Sequence, residues 1–144
     1  MSGVGAYHNP IWIQTRSGKL LWTIARNLEE AIGNNSTSRK FLAYSTHDVT
    51  IAALLDSMGV LKLALAPLGR PAFTAAVIFE LWKTEKREPY LKVLFRRGSG
   101  FDKYIDLTTE VRGCNKTQFC PVDSFLEAMN EYENDDPEAL CQVC

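Results

Sequence analysis

The sequence predicts an α/β fold, on three observations. An apolar run, Phe41-Leu42-Ala43-Tyr44, is followed at once by a polar turn and then by helical periodicity. An amphipathic stretch precedes it, and two β-rich segments joined by a short charged link follow it. Strand, turn and helix in that order is the unit that builds α/β sheets and sets functional groups at a sheet's carboxyl edge.

Taking the elements in order, Leu21, Ile24, Ala25, Leu28 and Ile32 recur at helical spacing between Gly18 and Gly33, with Arg26, Glu29 and Glu30 on the opposite side. This predicts an amphipathic helix closed by Gly33, whose backbone can turn left-handed at little cost. Asn34 to Arg39 is a polar loop. Phe41 to Tyr44 predicts a strand covered on both faces. Beyond Ser45-Thr46-His47-Asp48, the residues Ile51, Leu54, Leu55 and Met58 mark a second helix, stopped at Gly59. Leu61 to Pro71 is broken by Pro67, Gly69 and Pro71 and reads as a loop. Thr74 to Lys83 and Tyr90 to Arg97 are rich in β-formers, and the link Thr84 to Pro89 is short enough to make them an antiparallel pair with a solvated tip. Val122, Phe125, Leu126, Met129 and Tyr132 predict a last helix to about Glu133, overlapping an acidic stretch from Glu131 to Glu138.

Composition bounds the function. The 144 residues are 46% hydrophobic and 23% charged, enough for one domain with a sizeable core. The formal net charge of -1 supplies no basic field for nucleic acid or anionic membrane, so recognition of an anion has to be local. No apolar run reaches the roughly 18 residues a spanning helix needs. The first ten residues lack the basic and apolar regions of a signal peptide. All four cysteines, Cys114, Cys120, Cys141 and Cys144, fall in the last 31 residues, and Asn34, Asn35 and Asn115 each open an Asn-x-Ser/Thr sequon, the pattern of an N-glycosylation acceptor, the first two overlapping. Both features suit a secreted or lysosomal chain whose true N-terminus lies upstream. The terminal Cys-x-x-Cys has no adjacent histidine and offers too few ligands for a closed zinc site, so no metal is expected.

Two histidines occur, His8 and His47. His47 stands where an apolar run ends and a helix begins. Backbone N–H groups and the positive end of the helix dipole would converge there on a bound anion. An imidazole becomes cationic in mild acid, which strengthens such a site. Asp48, if protonated, can act as a general acid toward a departing alkoxide or phenoxide, and a doubly negative phosphate alongside would help it keep its proton. The alternative is plain capping: an Asp at a helix start contributes ~1 kcal/mol by accepting backbone N–H groups. From spacing alone capping is the simpler account, because a bare His-Asp dipeptide is not specific.

The wider sequence adds a resemblance. Phe41-Leu42-Ala43-Tyr44-Ser45-Thr46-His47-Asp48-Val49-Thr50-Ile51 resembles the second signature of the histidine acid phosphatases. Arg16-Ser17-Gly18-Lys19-Leu20-Leu21, Val77-Ile78-Phe79-Glu80-Leu81-Trp82 and the turn from Gly113-Cys114 to Cys120-Pro121 resemble further parts of that family in the same order. The span is Thr15 to Cys141, and the likeness is in particular to the lysosomal and prostatic-type animal enzymes. It implies a phosphoglycerate-mutase-like three-layer α/β sandwich, of which residues 1–144 are the C-terminal part of a single domain. It also implies a cofactor-free hydrolysis of phosphate monoesters through a phosphohistidine, with His47 binding phosphate and the transition state and Asp48 as proton donor. A disulfide between Cys114 and Cys120, a distant partner for Cys141 or Cys144, and a homodimer of the full-length protein follow as further expectations.

The family's nucleophile lies in an Arg-His-Gly motif, and no such tripeptide occurs here. His8 is followed by Asn9-Pro10 and lies outside the span of resemblance, so it is not read as the nucleophile. Arg96-Arg97 reads as a solvated strand edge rather than a phosphate clamp. The expectation is a partial gene product or splice form, inactive alone, whose Phe41 to Tyr44 strand lacks its hydrogen-bond neighbour. The alternative is a non-catalytic secreted binding or interaction domain, a pseudo-phosphatase.

Overall fold

The computed structural model describes residues 8–33 and 39–141. Helix α1, Pro10–Ile13, starts on Asn9, whose side chain accepts the Trp12 N–H, and Pro10 holds the first helical position, where a missing N–H costs nothing. A π-helical turn, Gln14–Gly18, joins it without a break to α2, Lys19–Gly33. Sequence reading missed this start, because Pro10-Ile11-Trp12-Ile13 shows no helical alternation. The turn lets the backbone close on the C-terminal segment: Gly18 C=O accepts the Asn134 N–H, and a Cβ at Gly18 would lie 2.9 Å from Asn134 Cβ. Helix α2 buries Leu21, Ile24, Ala25 and Leu28, as its periodicity predicts. Gly33 is the last helical residue, not a left-handed residue beyond the helix.

Phe41 to Tyr44 is not a strand. Residues 41–47 form no regular secondary structure, and Phe41 is 84% and Tyr44 43% exposed. A strand exists only through a neighbour's N–H and C=O groups, and none of the described strands pairs with this segment. The expected covering of both faces is therefore absent too.

The next elements follow expectation closely. Helix α3, Asp48–Ser57, buries Ala52, Ala53, Leu54 and Leu55, and Gly59 takes a positive φ of 75° just past its end. The expected loop from Leu61 contains a short helix, α4, Leu61–Leu65, because its Leu61, Ala64 and Leu65 have a core to bury in before Pro67 interrupts.

Strands β1, Ala76–Lys83, and β2, Pro89–Gly98, form the expected antiparallel hairpin, with Val77 opposite Phe95 and Leu81 opposite Leu91. Two strands were not foreseen: β3, Phe101–Asp106, and the two-residue β4, Cys120–Pro121, both antiparallel to β2. One sheet face sets Leu91, Val93 and Phe95 into the core, where Phe79 meets Phe125 of α5, Val122–Met129. The last predicted helix is thus shorter than expected, passing at Asn130–Tyr132 into a 3₁₀ turn before α6, Pro137–Cys141. The charged tip at Thr84 to Pro89 is a tight turn, closed by Thr84 N–H to Glu88 C=O.

Arg96 and Arg97 are not a simple solvated edge. Arg97 Nε donates to Ala64 C=O at 3.2 Å and its guanidinium lies over Phe101, so it ties β2 to α4. Arg96 reaches Thr74 C=O at 3.4 Å.

Candidate active site

His47 occupies the N-cap position of α3 with extended backbone angles, φ −94° and ψ 161°. Its carbonyl accepts the N–H groups of Thr50 and Ile51, each at 3.1 Å, while its imidazole makes no capping hydrogen bond. The ring is exposed and uncommitted among the described residues. Asp48, the first helical residue, is also exposed, and its Oδ1 accepts the Val49 N–H at 2.8 Å. Part of the capping role is therefore real. One carboxylate oxygen steadies the first turn, and Oδ2 has no hydrogen-bond partner among the described residues.

The pair is well supported from below. Helix α3 is held by buried residues almost all round, Ala52, Ala53, Leu54, Leu55 and Ser57, so its first turn is set on a rigid element rather than on a loop. Among the described residues, the segment entering it is tied to α2 where Asn27 Nδ2 donates to the Tyr44 hydroxyl at 2.5 Å. The positive end of α3 and the Asp48 carboxyl group therefore lie together at one exposed helix end.

Cys114 and Cys120 are joined by a disulfide, and both are fully buried. The turn between them carries Asn115, exposed with φ 51°. Asn34, Asn35 and Cys144 lie outside the described residues, as does the side chain of Cys141. Among the described residues no group of three or more His, Cys, Asp or Glu is arranged to hold a metal ion, and no helix is long and apolar enough to cross a membrane.

One cluster escaped sequence reasoning. His8 Nδ1 lies 3.3 Å from Asp56 Oδ1 and its Nε2 2.8 Å from the Tyr132 hydroxyl, which also accepts from Arg112. These partners are 48 and 124 residues away in the chain, so no local pattern announces them.

Comparison with known proteins assigns the chain. Residues 5–96 match the histidine phosphatase superfamily (branch 2). The match begins upstream of His8, which corrects the later start at Thr15 drawn from motifs alone. A putative acid phosphatase 1 of Caenorhabditis briggsae is 32% identical over 98% of this chain and 35% of its own length. The lysosomal acid phosphatase of Xenopus laevis is 31% identical over 89% of this chain and 27% of its own. A lysophosphatidic acid phosphatase type 6 of Mus musculus is 27% identical, covering 92% and 29% respectively. The chain thus spans about a third of the length of these relatives or less. No solved structure matches. With its mixed α/β fold and a family match over well more than half its length, this chain belongs to the histidine phosphatase superfamily, branch 2.

Proposed function

We propose that His47 and Asp48 form one half of an acid phosphatase site that hydrolyses phosphate monoesters, and that the nucleophilic histidine comes from sequence outside these 144 residues. His47 binds the phosphate and steadies the charge that builds on it. Asp48 protonates the leaving oxygen after a histidine has attacked phosphorus, and water then cleaves the phosphohistidine. The observation that carries this reading is the exposure of both side chains at the first turn of α3, with the His47 ring spared from capping. Relatives named as acid phosphatases support the reaction class. A secreted or lysosomal location fits the Cys114–Cys120 disulfide and the name of the Xenopus relative.

On this reading residues 1–144 alone do not turn over an aryl phosphate, because losing a nucleophile removes most of an enzyme's acceleration. Turnover by the purified chain that His47→Ala abolishes would overturn the proposal. In the full-length protein, Asp48→Asn keeps an acceptor for the Val49 N–H but cannot donate a proton as an acid does. Its kcat should fall about 10²–10⁴-fold, most steeply for substrates with poor leaving groups. A full-length protein with no phosphatase activity would favour the pseudo-phosphatase alternative.

A further inference from the structure

We infer that Asn115 is an N-glycan acceptor whose modification competes with closure of the Cys114–Cys120 disulfide. The inference rests on the secreted or lysosomal reading above and concerns a different part of the molecule from the His47–Asp48 pair.

The folded turn is a good place for a glycan and a poor substrate for attaching one. Asn115 is exposed and its side chain makes no hydrogen bond among the described residues, so a sugar there displaces nothing. The hydroxyl of Thr117, the other half of the Asn-Lys-Thr sequon, is exposed but already engaged within the turn: it is within donating distance of the carbonyls of Cys114, at 2.8 Å, and Phe119, at 3.1 Å. The Thr117 N–H also donates to Cys114 C=O, at 3.0 Å. Asn115 and Lys116 are both left-handed, at φ 51° and 62°, and Lys116 is held by Glu110.

A transferase that reads Asn-x-Thr must reach the amide and the hydroxyl together on an open stretch of chain. Stretched out, the six steps from Cys114 to Cys120 would span roughly 20 Å, whereas the disulfide pins their Cα atoms 4.6 Å apart. Once the bond forms, that open stretch is out of reach.

Transfer therefore has to precede closure. The Asn115 amide nitrogen forms a bond to the anomeric carbon of an oligosaccharide carried on a lipid diphosphate. The bond from that carbon to the diphosphate oxygen breaks, the lipid diphosphate leaves with the electron pair, and the amide proton passes to a base of the transferase. Closure of Cys114 onto Cys120 ends the opportunity, so occupancy records a race between the two reactions.

The test is to express the full-length protein in secretory animal cells and to map the peptide around Asn115, with and without enzymatic removal of N-glycans. Wild type should emerge as a mixture of modified and bare Asn115. A pulse of dithiothreitol during synthesis, or Cys120→Ser, should raise the modified fraction. Thr117→Ala should lose the glycan while the disulfide still forms. Asn115 left bare under both the reducing pulse and Cys120→Ser overturns the inference, and so does complete occupancy in wild type. Retention of the expressed protein outside the secretory pathway, with both cysteines as free thiols, would overturn it together with the location it rests on, whereas a formed disulfide with a permanently bare Asn115 sinks this inference alone.

Discussion

His8 Nε2 lies 2.8 Å from the hydroxyl of Tyr132, so a residue at the start of the described chain is tied to one of the largest buried side chains near its end. Arg112 donates to the same oxygen, and the other ring nitrogen of His8, Nδ1, lies 3.3 Å from Asp56 Oδ1. The Tyr132 hydroxyl is thus the point on which His8 and Arg112 converge.

Tyr132→Phe keeps the packed ring and removes that hydroxyl. Stability should fall by about 1–3 kcal/mol, the usual cost of stranding partners of a buried hydrogen-bonding group, as measured by urea unfolding at neutral pH. Burial, foremost, and then the neighbouring Glu131 push the Tyr132 phenol above its ordinary 10.0, against the opposing pull of Arg112. The folded state therefore holds this proton more tightly than the unfolded state does. That contribution is complete below about pH 10 and is lost as pH rises through the folded value, so the gap between wild type and Tyr132→Phe should narrow in strong alkali. A gap that stays constant, or no gap at neutral pH, would refute the role given to the hydroxyl.

Glu133 points to stability in acid. Its side chain is only 9% exposed, with Arg26 3.7 Å away. Burial, the largest influence, raises its carboxyl above the ordinary 4.5, Arg26 lowers it, and Glu29 raises it further. A carboxyl whose folded value is raised contributes stability below pH 4.5 and loses it as pH climbs through the folded value. Glu133→Gln, uncharged at every pH, should therefore melt above wild type at pH 7, and the advantage should disappear as pH drops below about 4.5. A lower melting temperature at pH 7 would mean that the Arg26 ion pair outweighs the desolvation.

What could be read beforehand, and what could not, divides by physical cause. Helix α3 was legible because Ile51, Leu54, Leu55 and Met58 repeat on one face and Gly59 stops them. The hairpin was legible because its register is local, Lys83 facing Pro89 across a short turn. Phe41 to Tyr44 carries every mark of a strand, yet strand formation depends on a neighbour's backbone, which no residue within the segment encodes. Strand β3 escaped because most of it faces solvent, leaving no apolar alternation to notice. For the site, His47 and Asp48 were legible as adjacent residues at a helix start. That one Asp48 oxygen is spent on Val49 N–H, and that the His47 ring is not spent at all, needed coordinates.

Gly113 is where the cysteine-bounded turn meets α5 most closely. Its φ is 88°, and a Cβ there would lie 2.5 Å from Ser124 C=O and 2.7 Å from Ala128 Cβ. Gly113→Ala should cost about 2–5 kcal/mol, from the left-handed backbone and the forced separation of the turn from the helix together. Denaturant midpoints would measure it, and a loss under about 1 kcal/mol would mean that the turn moves aside freely.

Phe41 tests how the chain manages its uncovered apolar segment. At 84% exposure beside Leu42 and Tyr44, on a backbone whose N–H and C=O groups pair with no strand, it offers another molecule both apolar area and an unpaired edge. Phe41→Lys places a charge where an incoming strand would lie, and removes little that is buried. Stability should change by no more than about 0.5 kcal/mol, as for an ordinary surface substitution. Self-association of the purified 144 residues, followed by light scattering across a concentration series, should drop. If scattering is unchanged while a substitution elsewhere on the surface reduces it, the segment is not what brings molecules together. If Phe41→Lys instead lowers stability by several kcal/mol, the side chain is buried in solution, and the open edge assigned to it does not exist.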